Sequence, residues 1–310
     1  SDVYKRQNIA SAYKKILGRT VTFTRKAVKL PVKLRYKLRY VKIYAKAGMF
    51  DGLYAIPPKG IHYQTLFINS RSWDCLIILD ACRYDFFEKY VWKFMDGRLY
   101  RVLSPGGYTI KWFKRTWYGN YKDVIYISST PFIRKSERIC KKFLKIVNAW
   151  DRGWDEKLHT IPPWKMNSIA LWELKLLNVK HRLGLYAKRP RIVIHYVQPH
   201  SPYIAGPIDF SRIYDFYIKN LRGVVVLEHA VLVHLMNILG DIEKVNYTLR
   251  RAYEENLKLV LSYVSELVPY LPGRVAITSD HGELLGEYGL YFHPIDAMIP
   301  ELRYVPLFIV

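Results

Sequence analysis

Six short runs of apolar, largely β-branched residues constrain the fold of this chain more than any other feature. They are CLIILD (Cys75–Asp80), RLYRVL (Arg98–Leu103), DVIYIS (Asp123–Ser128), RIVIHYVQ (Arg191–Gln198), RVAITSD (Arg274–Asp280) and YVPLFIV (Tyr304–Val310). Runs that are apolar without alternation belong to strands covered on both faces. Helices are predicted between them, at Phe86–Phe94, Ile110–Trp117, Arg134–Ala149 and Tyr247–Leu267. The alternation predicts an α/β fold with a central, mostly parallel β-sheet sandwiched by helices. In such sheets ligands bind outside the carboxyl ends of the strands, so the polar residues that close these runs are the ones to inspect.

The length of 310 residues, with 50% hydrophobic and 24% charged residues, excludes a disordered tail, a collagen-like repeat and a disulfide miniprotein. Three cysteines, Cys75, Cys82 and Cys140, cannot all pair within one chain. Of the net charge of +23, residues 1–60 carry +13, from fifteen Lys/Arg against Asp2 and Asp51. The division expected is a basic N-terminal arm and linker over 1–60 and a catalytic domain over 61–310. Within the arm, residues 8–47 interleave Lys and Arg with Leu, Val and Tyr, and KLRYKLRYVKIY fits both the helical and the strand period, with composition leaning to helix. Gly48 to Gly60, with Pro57 and Pro58, reads as the linker. A basic arm on a milder body points to phosphate-rich partners, an anionic membrane surface above all. The alternative is a solvated basic surface, and nucleic acid is not the expected partner.

No stretch reads as a transmembrane helix, because the longest apolar run, Gly223–Gly240, is interrupted by Glu228, His229 and His234. No signal peptide is visible. The chain begins without Met and stops inside VPLFIV, as if a strand were cut, so a fragment is expected at both ends. A cytoplasmic or peripheral membrane location is favoured on these grounds.

Three of the strand runs close on metal-ligating residues. CLIILD ends in Asp80, RVAITSD ends in Asp280 followed by His281, and RIVIHYVQ runs into Pro199-His200. His293 stands twelve residues beyond His281. A strand-end Asp is ordinarily a cap or turn residue, but two carboxylates and up to three imidazoles converging on one sheet edge suit Zn²⁺ or Mn²⁺. SPGGYTIKWFKRTW (Ser104–Trp117) places Thr109 at the predicted N-cap of a helix, where free backbone N–H groups stabilise a phosphate or sulfate. A bound metal would lower its hydroxyl pKa and make Thr109 a nucleophile; otherwise it is a plain capping threonine.

LDACRYD, SPGGYT, VQPHSPY and TSDHGELLGEYGLYFHP together resemble the alkaline phosphatase superfamily over roughly Ser70 to Val310. Within it the chain is similar to archaeal sulfatase-like proteins. The SDHGE stretch with its following His is also similar to phosphoethanolamine and phosphoglycerol transferases, and LDACRYD resembles the D-G-x-R-x-D start of nucleotide pyrophosphatase/phosphodiesterases. The resemblance implies an α/β sandwich in which Asp80, Thr109, Asp280 and His281 hold the metal. It implies that Thr109 is the nucleophile, forming a covalent phospho- or sulfo-enzyme intermediate released to water or to an acceptor hydroxyl. It also implies that His200 and His293 contact the transferred group or a second metal.

The chain departs from the family in named places. Cys82-Arg83-Tyr84 lacks the proline of the C-x-P-x-R motif that formylglycine sulfatases carry, so Cys82 reads as a packed thiol. His281 favours a softer ion than the Ca²⁺ of sulfatases, and the Asp-x-x-x-His pair of a second zinc site has no clear counterpart. One ion is expected, with room for a second. His195 reads as a half-buried strand residue, and His229 and His234, five apart, lack same-face spacing. Trp150, Trp154 and Trp164, in a loop-rich insert over Asn148–Lys165, read as covering the sheet rather than lining a cleft. Arg83 and Lys111 read as solvated charges, with neutralisation of an oxyanion as the alternative.

The expected function is metal-dependent hydrolysis of phosphate or sulfate esters through a covalent threonine intermediate, with His200 and His293 binding ester oxygens or protonating the leaving group. The first alternative is a transferase passing the group to a lipid or envelope glycan at a membrane surface. The second is a catalytically inactive basic binding protein. The substrate expected is a small-molecule, glycan or lipid ester.

Overall fold

The computed structural model describes residues 62–131, 133, 137–220, 227–294, 297 and 299–310, with the side chains of 216–230 left aside. The basic arm, the linker and His229 therefore lie outside the described residues and side chains. Among the described residues, no helix is long and apolar enough to cross a membrane.

One eight-stranded sheet runs in the order β1 (His62–Tyr63), β3 (Arg98–Leu103), β10 (Tyr304–Ile309), β7 (Val275–Ser279), β2 (Cys75–Leu79), β6 (Arg191–Tyr196), β4 (Tyr121–Ser128) and β5 (Phe143–Asn148). Neighbouring strands pair in parallel throughout, except that β10 runs antiparallel between β3 and β7. A small hairpin, β8 (Leu284–Leu285) with β9 (Tyr291–Phe292), stands apart from the sheet. The helices that matter here are α1 (Gln64–Ser70), α2 (Tyr84–Tyr90), α3 (Thr109–Thr116), α4 (Pro163–Arg182), α5 (Phe210–Asn220), α6 (Leu227–Leu239) and α7 (Ile242–Leu267).

The unbroken apolar run of β2 has a direct structural cause. Its odd side chains, Cys75, Ile77 and Leu79, enter one core with Phe87 of α2, Leu174 of α4 and Leu257 of α7. Its even side chains, Leu76 and Ile78, enter a second core with Ile68 of α1 and Trp112 and Phe113 of α3. All five are fully buried, so a truncation such as Ile77→Ala would cost about 2–5 kcal/mol. The fold is the mostly parallel α/β sandwich that the strand pattern requires.

The helix expected over Arg134–Ala149 is corrected. A single helical turn at Glu137–Cys140 is followed by the edge strand β5, whose FLKIVN pairs in parallel with β4. An available strand partner overrides the helical leaning of Lys and Leu here. The insert over Asn148–Lys165 contains one helical turn at Trp150–Gly153 and then opens α4, a twenty-residue helix with Pro163 in its first turn. That helix escapes a periodicity search because its buried face includes Asn167 and Glu173. In the run Gly223–Gly240 a helix forms from Leu227 to Leu239, and α7 begins at Ile242 because the Asp241 carboxylate accepts the Glu243 and Lys244 N–H groups.

Candidate metal centre

Strands β2 and β7 are adjacent and in register, with Leu79 opposite Ser279. The next residue of each strand, Asp80 and Asp280, therefore leaves the sheet beside the other, and both carboxylates are buried. Asp280 Oδ1 accepts the N–H groups of Ala81 (3.1 Å) and His281 (2.9 Å). Ala81 adopts φ +59°, a left-handed turn that costs energy at a non-glycine residue and persists where its surroundings enforce it. Here Tyr253 of α7 supplies that enforcement: its hydroxyl donates to the Ala81 carbonyl (2.7 Å) and accepts from the Arg83 N–H (2.9 Å).

His281 Nδ1 sits 2.8 Å from the Gly282 carbonyl, which assigns the ring proton to Nδ1 and turns the Nε2 lone pair inward. Around Nε2 lie Thr109 Oγ1 at 3.3 Å, Asp80 Oδ1 at 3.3 Å and Asp280 Oδ2 at 3.4 Å. The ligating atoms of Asp80, Asp280 and His281 all fall within 4.8 Å of one another. The inward turn of His281 depends on Gly282, where a Cβ would sit 1.9 Å from the Glu301 carbonyl oxygen.

Thr109 reaches this cluster because α3 is pinned to β7. Gln64 Nε2 donates to Thr278 Oγ1 (2.7 Å), and its Oε1 accepts from Trp112 Nε1 (2.7 Å). Ser104 Oγ donates to the Asp280 carbonyl (2.5 Å), fastening the preceding loop. Gly106 permits the close approach expected of it, since a Cβ there would lie 2.4 Å from the Trp112 nitrogen. The N-cap assignment is corrected by one residue: Tyr108 is the extended cap, and Thr109 is the first helical residue. Its hydroxyl is thereby free of a capping role and faces His281.

Two carboxylates, a hydroxyl and an imidazole lone pair do not share a buried space without a positive charge among them. In the metal-free chain that charge is a proton. Burial opposes the His281 imidazolium, yet Asp280 and Asp80 push its pKa up to about 9. Burial likewise opposes the Asp80 carboxylate, but His200, His281 and His195 hold it well below its usual range. Asp80 Oδ1 and Asp280 Oδ2 are buried without a hydrogen-bond partner. These orphaned oxygens, with an oriented imidazole, fit a divalent cation.

A second group lies against the first. His293 Nδ1 is 3.1 Å from Glu283 Oε1, and the His200, Glu283 and His293 ligating atoms again fall within 4.8 Å of one another. The His293 ring stands 4.7 Å from that of His281 and 5.0 Å from that of His200. Asn256 of α7 donates to the Pro199 and His200 carbonyls, seating the His200 segment. Glu283 was not among the expected residues. It is fully buried, with Oε2 unpartnered, and this group supplies donors for a second ion. Its sequence signal was its place in SDHGE, where a turn rather than a periodic element sets the direction of the side chain.

His195 is fully buried rather than half-buried; its Nδ1 lies 2.8 Å from the Tyr126 hydroxyl and its Nε2 3.9 Å from Asp280 Oδ2. Burial lowers its pKa, so it faces Asp280 as a neutral ring. Arg83 is neither solvated nor aimed at the cluster. It is buried, bonded to Asp85 (2.7 Å), Glu287 (2.7 Å) and the Glu283 carbonyl (3.2 Å). Lys111, on the same helix as Thr109, is partly buried. Cys82 is a packed thiol whose pKa burial raises well above its usual value. Trp150 and Trp154 stack at 4.0 Å, with Trp150 against the first core, whereas Trp164 is exposed at the start of α4.

No family model and no curated protein matches the chain. Among solved structures it is similar to the integral membrane protein lipooligosaccharide phosphoethanolamine transferase A of Neisseria meningitidis, at 13% identity and TM-score 0.48 over 99% of this chain and 58% of that one. It is also similar to the C-terminal periplasmic domain of phosphoethanolamine transferase EptC of Campylobacter jejuni, at 17% identity and TM-score 0.44 over 76% and 78%. A third is the lipoteichoic acid synthase LtaP of Listeria monocytogenes, at 12% identity and TM-score 0.42 over 76% and 64%.

Proposed function

We propose that this chain cleaves phosphate or sulfate esters through a covalent intermediate on Thr109. The observation that carries the reading is the convergence of Thr109 Oγ1, Asp80 Oδ1 and Asp280 Oδ2 on His281 Nε2, all at 3.3–3.4 Å. Asp80, Asp280, His281 and Thr109 would hold a divalent ion. Two carboxylates with an imidazole and a hydroxyl suit Zn²⁺ or Mn²⁺ better than Ca²⁺. When bound, the ion would lower the pKa of the Thr109 hydroxyl and offset charge on the transferring group.

The chain's own residues supply the rest. Thr109 Oγ1 gives up its proton to solvent and attacks the phosphorus or sulfur, the bond to the leaving oxygen breaks, and the group rests on Thr109 as an ester. The Ala81 and His281 backbone N–H groups on Oδ1 hold the Asp280 carboxylate in place. Glu283 orients the His293 ring through Nδ1, leaving the other ring nitrogen to protonate the departing oxygen, and His200 lies on the same side to bind ester oxygens. A water or an acceptor hydroxyl then attacks the Thr109 ester and frees the enzyme. The inactive-scaffold reading leaves the orphaned carboxylate oxygens at the sheet edge unexplained.

The test is turnover of nitrophenyl phosphate, a nitrophenyl phosphodiester and nitrophenyl sulfate with added zinc or manganese, alongside acid-quenched peptide mass spectrometry. Phosphate or sulfate on the peptide containing Thr109, absent in Thr109→Ala, is the expected result. Turnover with that peptide unmodified under every quench would overturn the covalent step.

A further inference from the structure

The outward face of α4 takes no part in the chemistry above, and it carries large apolar side chains where a water-exposed helix ordinarily carries polar ones. Its inward face packs Met166, Ala170, Leu174 and Leu177 into the first core beside two polar anchors. Glu173 is buried and takes Lys145 (2.5 Å) and Arg152 (3.1 Å), while Asn167 donates to the Tyr263 carbonyl (2.8 Å) and accepts from the Tyr196 hydroxyl (2.5 Å). Its outward face sets large apolar side chains among Ser168, Lys175 and Arg182. Trp164, Leu171, Trp172 and Val179 are exposed, Trp172 at 55% and Val179 at 48%. Leu183 and Leu185 continue the patch at 70% and 63%. At 100° per residue, positions 164, 171, 172, 179 and 183 fall within an arc of about 120°.

Charge decides what this stripe suits. Lys175 and Arg182 are exposed within this arc, and Lys180, Lys188 and Arg189 are exposed beside it. The only acidic residue between 163 and 190 is Glu173, which is buried and paired. Exposed aliphatic side chains and two tryptophans interspersed with Lys and Arg, with no exposed carboxylate between 163 and 190, match the headgroup boundary of an anionic bilayer. A protein interface of this size would be depleted of lysine.

We propose that the outward face of α4, with residues 183–189, docks on an anionic lipid bilayer, independently of the basic arm. The start of this helix is tied to the functional edge of the sheet, because Gln198 Nε2, two residues before His200, donates to the Ile161 carbonyl (3.2 Å). Docking holds whether or not Thr109 is a nucleophile.

The full chain and its W172S/V179S/L183S variant, altered only at exposed positions, are floated with phosphatidylcholine vesicles with and without phosphatidylglycerol. The proposal expects binding to the anionic vesicles that the variant weakens at least about tenfold, with an unchanged thermal melt. Brominated lipids should quench the parent's tryptophan fluorescence and quench a W164F/W172F variant far less. Equal partitioning of parent and triple variant would overturn it, since the arm would then carry all binding. So would a concentration-dependent dimer that the triple variant abolishes, which would assign the face to a second copy of the chain.

Discussion

Thr109 Oγ1 and His281 Nε2 lie 3.3 Å apart although 172 residues separate them along the chain. One arrives on the first turn of α3 and the other two residues past the end of β7, and neither position has meaning without the other. The contact turns a helix-start threonine into a candidate nucleophile, because the nitrogen it faces is also faced by two buried carboxylates.

Thr109→Ala should lower kcat/KM for nitrophenyl esters by at least about a thousandfold with little change in thermal stability, because the hydroxyl makes no capping bond. Thr109→Ser, which keeps the oxygen, should recover part of the rate. Steady-state kinetics on both variants decide the matter. An alanine variant as active as the parent removes Thr109 from the mechanism.

Metal removal and pH are linked through His281. Its folded pKa of about 9 lies above its ordinary 6.5, so the stability it contributes is complete below pH 6.5 and lost as pH rises through 9. The metal-free protein should therefore lose up to about 3 kcal/mol between those limits, the shift counted once for the whole cluster. Asp80, held below its usual range, is ionised throughout this window and adds no slope. Zinc must displace the His281 proton, so its apparent affinity should rise with pH over the same window. Chemical denaturation and zinc titration at pH 6.5, 7.5 and 9 would show both trends, and a metal-free protein growing more stable with pH would contradict the assignment.

The two clusters should separate in a metal count. Asp280→Asn should remove the ion held with His281 and Thr109, whereas Glu283→Gln should leave it and affect only an ion held with His200 and His293. Elemental analysis after dialysis against limiting zinc distinguishes the two variants. Equal losses in both would mean that the groups act as a single site.

Arg83 joins the strand end carrying Asp80 to the loop carrying Glu283 and to Glu287, which also pairs with Arg250. Arg83→Met should cost about 2 kcal/mol, the value of a buried charged hydrogen bond rather than of the exposed Asp85 pair. Urea unfolding measures the cost. Arg83→Lys, which cannot make the forked contact, should recover little of it.

How much could be read beforehand differs from element to element. The apolar runs announced their strands because a segment covered on both faces must be apolar at every position, as Cys75–Leu79 is. The strand β5 escaped because FLKIVN lies at a sheet edge, where half-exposure lets Lys145 in and where, among the described residues, β4 is its one strand partner. The helix α4 escaped because Asn167 and Glu173 interrupt its inward apolar face while large apolar residues stand on its outward one.

The same division holds at the site. Asp80, Asp280, His281, His200 and His293 were legible because each closes a strand or sits in a dense motif, and strand ends are where such sheets present ligands. Glu283, His195 and the burial of Arg83 were not. The direction of a side chain in a turn depends on backbone dihedrals, and the depth of a strand residue depends on its neighbours in the sheet. Local sequence determined that a mostly parallel sheet would form and which residue types would stand at its edge, because hydrophobic periodicity is a property of neighbouring residues. Only the tertiary structure decided that Leu79 pairs with Ser279, that α3 is pinned through Gln64, and hence that Thr109 faces His281, because those contacts join segments tens to about two hundred residues apart.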